Sequence, residues 1–205
     1  MKNPFLLGVC GGSGAGKSTL AFGLEDRFPH KVLVVHLDDY FRPEAGVPLL
    51  HGMKNWDSPD AVYHDKIVAD LKLLKSGQPV TINTKSPRLN PDFLKTGKRI
   101  PVLFEPKPLI VVEGFLTLHY PLLRGLLDIK IYLDAPYELH SKRRVHGKLY
   151  NFLSQYNDLV LKPMHNQYVL PSKQYADVAI DIAAKNQQQV LDEVCEHLSG
   201  LLEWV

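Results

Sequence analysis

Long apolar runs, paired cysteines, an excess of either charge and internal repeats are all missing from this sequence, and each absence removes a class of protein. The apolar stretch of the N-terminal MKNPFLLGVC is too short for the core of a signal peptide, and no stretch approaches the ~20 apolar residues of a membrane span. The expectation is a cytoplasmic protein with no membrane partner. Only two cysteines occur, Cys10 and Cys195, and their spacing suits neither a metal site nor a disulfide framework. The formal net charge is +2 over 205 residues, far from the basic footprint of a dedicated nucleic-acid binder. No nucleic-acid partner is expected, and any anion site must be local. The histidines His36, His119, His140 and His165 form no metal-spaced cluster and read as structural.

What is present is the composition of one globular domain: 45% hydrophobic and 22% charged residues. Unbroken Val/Ile/Leu runs at Phe5 to Cys10, Lys31 to Leu37, Leu109 to Val112 and Ile129 to Leu133, with a weaker one at Ala176 to Ile182, alternate with helical periodicity. That alternation predicts a parallel sheet covered on both faces by helices. In SPDAVYHDKIVADLKLLKSG, Ser58 is read as the N-cap of a helix, Pro59 as its first residue and Gly77 as its stop, with Ile67, Leu71 and Leu74 as the buried stripe. A last helix, Asn186 to Trp204, carries a packing face of Val190, Val194, Leu198 and Leu201. Residues 78–106 hold five prolines and two short strand-like pieces, and read as a β-hairpin insertion in a single domain spanning 1–205.

The stretch GVCGGSGAGKST carries the strongest chemical signal. Gly11, Gly12, Ser13, Gly14, Ala15, Gly16, Lys17 and Ser18 fit GxxxxGK[ST], with Thr19 following, between a buried strand and the start of a helix. Glycines let backbone N–H groups turn inward around phosphate oxygens, and the helix N-terminus adds partial positive charge. Lys17 would reach the β- and γ-phosphates and the Ser18 hydroxyl would ligate Mg²⁺. A nucleoside triphosphate, ATP by default, and Mg²⁺ are the expected cofactors.

The acceptor side is argued separately. VVHLDDYFRP brings Asp38 and Asp39 to the carboxyl edge of the sheet, where open α/β sheets bind ligands, and Asp38 is the candidate general base. A turn pair is the alternative for these acids. LIVVEGF delivers Glu113 as a second candidate metal ligand, with Gly114 allowing close approach of the backbone to a ligand.

GGSGAGKST, LDDYFRP, NWDSPDA, VVEGFL, YELHSKRRV, LSQY and KPMHNQYVLPSKQYADVAI follow one another in the order seen in the phosphoribulokinase and uridine kinase family, and the chain resembles its uridine kinase branch. The resemblance implies an α/β P-loop fold of the nucleoside and nucleotide kinase type, and transfer of a phosphoryl group from ATP to a primary hydroxyl of a small ribose-containing acceptor, uridine or cytidine first. It assigns Asp38 as base, Asp57 to the ribose hydroxyls, and Arg144 and Gln155 to the substrate side. Lys17 and Arg144 join Asp38 as catalytic candidates, while Tyr40 and Arg88 are further substrate-binding candidates. Ordinary alternatives are an Asx turn ahead of Ser58 for Asp57, a solvated helix face for Arg143 and Arg144, and a surface helix position for Gln155. Homo-oligomers are common in the family.

Two departures stand out. Where the family carries a PxYDFxxHxR-like element whose rings surround the base, this chain has QPVTINTKSPRLN, with Thr81, Asn83 and Ser86 at the base-contacting positions. A ring-poor base pocket is therefore expected. The arginine-bearing RDxxxRGR lid is also missing, because RRVHGKLYNFLSQY joins the flanking helices directly over 142–155. Lys142, Arg143 or Lys148 are the substitutes considered. Another acceptor, nicotinamide riboside or a sugar, is the alternative within kinases, and a non-transferring nucleotide-binding regulator the alternative outside them.

Overall fold

Alternate residues of the central strand go to opposite faces, and this sets the layering. The computed structural model of the protein describes residues 3–139 and 154–202. Strand β1 (Phe5–Gly11) sends Leu6 and Cys10 into one apolar cluster and Leu7 and Val9 into another. With β2 (Val32–His36), β7 (Leu109–Glu113), β8 (Ile129–Asp134) and β9 (Val178–Asp181) it forms a parallel sheet in the order β2-β7-β1-β8-β9. All five strands expected from the apolar runs are in this sheet. The face bearing Leu7 and Val9 is covered by α1 (Lys17–Arg27) and the last helix, which buries Val190, Val194 and Leu198 there. Helix α2 (His64–Lys75) covers the other face with Ile67, Val68, Leu71 and Leu74.

Helix α2 begins later than its sequence suggests. Ser58 does cap, its Oγ accepting from the Asp60 N–H at 3.2 Å, but the capped element is a single 3₁₀ turn, Pro59–Ala61. Val62 is then extended and bridges Phe41: the Arg42 N–H donates to the Ala61 carbonyl at 2.8 Å and the Tyr63 N–H to the Tyr40 carbonyl at 2.9 Å. Strand-type pairing with the segment after β2 thus outcompetes the helix at that point.

A small hairpin, β3 (Leu49–Leu50) and β4 (Met53–Lys54), follows β2. In the 78–106 region β5 (Val80–Thr84) and β6 (Ile100–Phe104) pair antiparallel, with the one-turn helix α3 (Phe93–Thr96) between them. The short helix α4 (Pro121–Arg124) precedes β8. Residues 154–175 form a helical segment with π-helical turns at Asn157–Leu161 and His165–Val169, and α5 (Gln187–Leu202) ends the described chain. Among the described residues no helix is long and apolar enough to cross a membrane.

Candidate active site

Three neighbouring strands, β2, β7 and β1, end together at the carboxyl edge of the sheet. Register pairs Glu113 with both His36 and Val9, so β2 and β7 end side by side while β1 runs two residues further, to Gly11. Beyond β1 the chain turns through the phosphate-loop motif. Gly11 has φ 146° and a Cβ there would sit 2.6 Å from the Leu133 carbonyl oxygen, which leaves only glycine. Gly16, at φ 87°, occupies the cap position of α1. Lys17 is buried and its Nζ donates to the Gly12 carbonyl at 2.9 Å, folded back over the loop whose N–H groups would hold phosphate.

Ser18, one residue into α1, donates its hydroxyl to Glu113 Oε1 at 3.0 Å. The His36 Nδ1 lies 2.6 Å from the same Oε1. Burial pushes the His36 pKa down, but the hydrogen bond and charge of Glu113, with Asp39 and Asp38 nearby, outweigh it and hold the imidazole above its ordinary range. A buried carboxylate beside a hydroxyl is an oxygen-only donor set of the kind a hard divalent cation takes. Gly114 serves a different approach from the expected one: a Cβ there would collide with Leu37, so it lets the turn after β2 close onto β7. The part His36 plays at Glu113 was not legible in sequence, although it stands two residues ahead of Asp38.

Asp38 sits on the 3₁₀ turn Leu37–Tyr40, and its Oδ2 is 3.2 Å from Lys85 Nζ. The neighbouring acid has another task. Asp39 is buried and ties the β5–β6 insertion to the turn, accepting from Thr84 Oγ1 at 2.7 Å and from the Lys85 N–H at 2.8 Å. Burial raises the Asp39 pKa against the pull of these two donors. From β6's end of the insertion, the Arg99 guanidinium donates to the carbonyls of Asp38 at 3.0 Å, Asp39 at 2.9 Å and Phe41 at 3.2 Å.

Next to Asp38 opens a cavity of about 470 Å³, into which Phe41, Trp56, Asp57, Phe93, Phe115 and Tyr156 bring their side chains. Phe41 meets Trp56 edge to face, centroids 5.6 Å apart, and lies nearly parallel to Phe115 at 6.2 Å. The Tyr156 hydroxyl donates to Asp57 Oδ2 at 2.7 Å and accepts from the Trp56 N–H at 3.1 Å, fixing the NWD element from the helical segment. The expectation of a ring-poor pocket is therefore corrected. β5 alternates, burying Val80, Ile82 and Thr84, so Thr81 and Asn83 face outward and neither lines this cavity. Ser86 is buried and lines the adjoining cavity of about 370 Å³ with Ser18, Asp38 and Glu113. The rings come from five other places in the chain.

Three other candidates lie elsewhere. Tyr40 is 2% exposed and its hydroxyl donates to Asp70 Oδ2 at 2.9 Å, so it anchors α2 in the core. Arg88 is held on α1 by Glu25 and Asp26, each at 2.7 Å, with its guanidinium 4.4 Å above the Phe22 ring, and does not line the cavity beside Asp38. Two carboxylates and a ring on α1 outbid the pocket for it. Gln155 is exposed and does not line the cavity; its neighbour Tyr156 does. Arg144, with Lys142, Arg143, Lys148 and His140, lies outside the described residues.

On the far side of the phosphate loop a cavity of about 750 Å³ is bounded by Gly14, Gly16 and Thr19, by Lys185 and Asn186 from the turn after β9, and by Gln188 at the start of α5. It has room for the base and sugar of a nucleotide whose phosphates enter the loop.

The model of the phosphoribulokinase/uridine kinase family matches residues 6–189. Curated relatives include the uridine kinase of Clostridium botulinum (strain Okra / Type B1), 32% identical over 99% of this chain and 100% of the relative. The uridine kinase of Bacillus subtilis (strain 168) is 31% identical over 98% of this chain and 97% of the relative. Among solved structures, that of a possible uridine kinase from Bacillus stearothermophilus superposes with a TM-score of 0.64 at 19% identity, covering 88% of this chain and 90% of that one, which bears on the fold alone. With the phosphate loop, the strand order and these matches in agreement, the chain belongs to the phosphoribulokinase/uridine kinase family and is a nucleotide-binding kinase.

Proposed function

We propose that the protein is an ATP-dependent, Mg²⁺-requiring nucleoside kinase that phosphorylates the 5′-hydroxyl of a ribonucleoside, with uridine and cytidine the leading acceptors. The observation that carries this reading is the position of Asp38. It lines both the cavity containing Ser18 and Glu113 and the ring-lined cavity containing Asp57, so one carboxylate faces donor and acceptor at once.

Each group has a role that follows from its chemistry. The loop backbone and Lys17 bind the phosphates through N–H donors and a point charge. Ser18 and Glu113 are the residues that would hold Mg²⁺, which when bound supplies charge neutralisation across the phosphate oxygens. Asp57 accepts from vicinal ribose hydroxyls, its carboxylate already oriented by Tyr156. Phe41, Trp56 and Phe115 offer faces and edges to a flat base. Asp38 accepts the proton of the attacking hydroxyl.

The test is nucleotide consumption by the purified protein with Mg²⁺ against nucleosides, nicotinamide riboside and free sugars, with products identified by mass. A nucleoside 5′-monophosphate is expected. Transfer only to a free sugar would refute the nucleoside assignment, and tight nucleotide binding with no transfer to any acceptor would refute the kinase assignment in favour of a regulator.

A further inference from the structure

The two cavities that meet at Asp38 share three lining residues: Asp38, Lys85 and Phe93. Asp38 has its role as base, and Phe93 is apolar. Lys85 remains, a cation at the boundary across which a phosphoryl group must pass. Its backbone is fixed from behind, because its N–H donates to the buried Asp39 and the preceding Thr84 hydroxyl donates to the same carboxylate. Its ammonium lies 3.2 Å from Asp38 Oδ2 and 5.3 Å from the centroid of the Phe41 ring. A partly exposed pair of this kind adds little to stability, which gives a structural role little weight. A lysine head has three rotatable donors, so it can hold a carboxylate and a second oxygen together.

We propose that Lys85 is a catalytic cation of the transfer step, aiming the Asp38 carboxylate while donating to a peripheral oxygen of the phosphoryl group in transit. The inference rests on the kinase reading of the site, with Asp38 as base and a nucleoside triphosphate as donor. In that step the acceptor hydroxyl oxygen bonds to the γ-phosphorus, and the bond from that phosphorus to the bridging oxygen breaks. The electron pair leaves on the nucleoside diphosphate, the hydroxyl proton passes to Asp38 and on to solvent, and nothing is oxidised or reduced. The peripheral oxygens carry negative charge throughout, and a cation fixed beside them is worth most where water is excluded. Lys85 supplies that cation from the insertion, directly after β5.

The experiment compares wild type, Lys85→Met, Lys85→Arg and Asp38→Asn in steady-state kinetics, alongside binding of ADP with and without aluminium fluoride. For Lys85→Met, kcat is expected to fall about 100-fold or more, with both KM values and the melting temperature close to wild type. The gain in affinity that aluminium fluoride gives ADP is lost in the same variant, and Lys85→Arg recovers part of kcat. Should Lys85→Met not fold, Lys85→Gln is read by the same split. A kcat that stays at the wild-type level, or a loss seen only in KM or melting temperature, would overturn the inference while an inactive Asp38→Asn left the kinase reading standing. A wild type inactive on every acceptor would overturn both.

Discussion

The proposed donor and acceptor halves of this site are built by different means. On the donor side a single contiguous stretch, Gly11 to Thr19, would cradle phosphate mostly with backbone N–H groups, with two side chains, those of Lys17 and Ser18, adding charge and a hydroxyl. On the acceptor side Phe41, the adjacent pair Trp56 and Asp57, Lys85, Phe115 and Tyr156 converge from five segments, and the cavity exists only once those segments are packed. A backbone site constrains its own short string and nothing else. A side-chain site spreads its constraints over the whole chain, and any one of its members can change without disturbing the cradle.

That division is testable. Asp38→Asn should separate the halves most sharply: transfer falls by about 10²–10⁴-fold while nucleotide affinity stays at the wild-type level, checked by kinetics and calorimetry. Loss of nucleotide binding in this variant would mean that the halves are not independent. Asp39→Ala removes the acceptor of two hydrogen bonds that hold the insertion and should lower stability by about 1–3 kcal/mol in urea unfolding. Asp39→Asn should recover part of that, since its one amide oxygen can still accept from one of the two donors. Trp56→Ala should raise the acceptor KM roughly 5- to 10-fold, as expected for removing one aromatic contact, with the nucleotide KM unchanged.

The smallest effect is in pH. His119 lies between the rings of Tyr120 and Tyr168, and burial, followed by the charges of Arg124 and His64, holds its pKa below 6.5. As pH falls below 6.5 the unfolded chain takes up this proton before the folded one. The His119 contribution to stability is therefore present above that value and lost on acidification. His119→Gln should flatten the melting-temperature profile on the acid side of 6.5 and leave it unchanged above.

Legibility in the sequence obeys the same division. The five strands of the parallel sheet, the phosphate loop and the carboxylates Asp38 and Glu113 could be placed because each is announced by neighbours in the chain: an unbroken apolar run, then a turn that must carry ligands. Phe41, Phe93 and Phe115 could not, because a single phenylalanine carries no sign in its own stretch of chain of which rings it meets in space. Tyr40 and Arg88 failed in the opposite sense. Both stand inside or beside motif-like strings, but Tyr40 found a partner in Asp70 and Arg88 in Glu25 and Asp26, none of which is near in sequence. The start of α2 lies later than its sequence suggests for a related reason, since the competing partner of Val62 is Phe41, twenty-one positions earlier.

The clamp of Arg88 on α1 bears on how this site could be re-engineered. An antiparallel pair inserted into a fold looks like a cassette, to be exchanged between relatives for a new specificity. Here its far side is bolted to Phe22, Glu25 and Asp26, on the helix that begins at the phosphate loop. A graft that carries only residues 78–106 would leave those two carboxylates facing an unmatched surface, so a working chimera has to transplant the outer face of α1 with it.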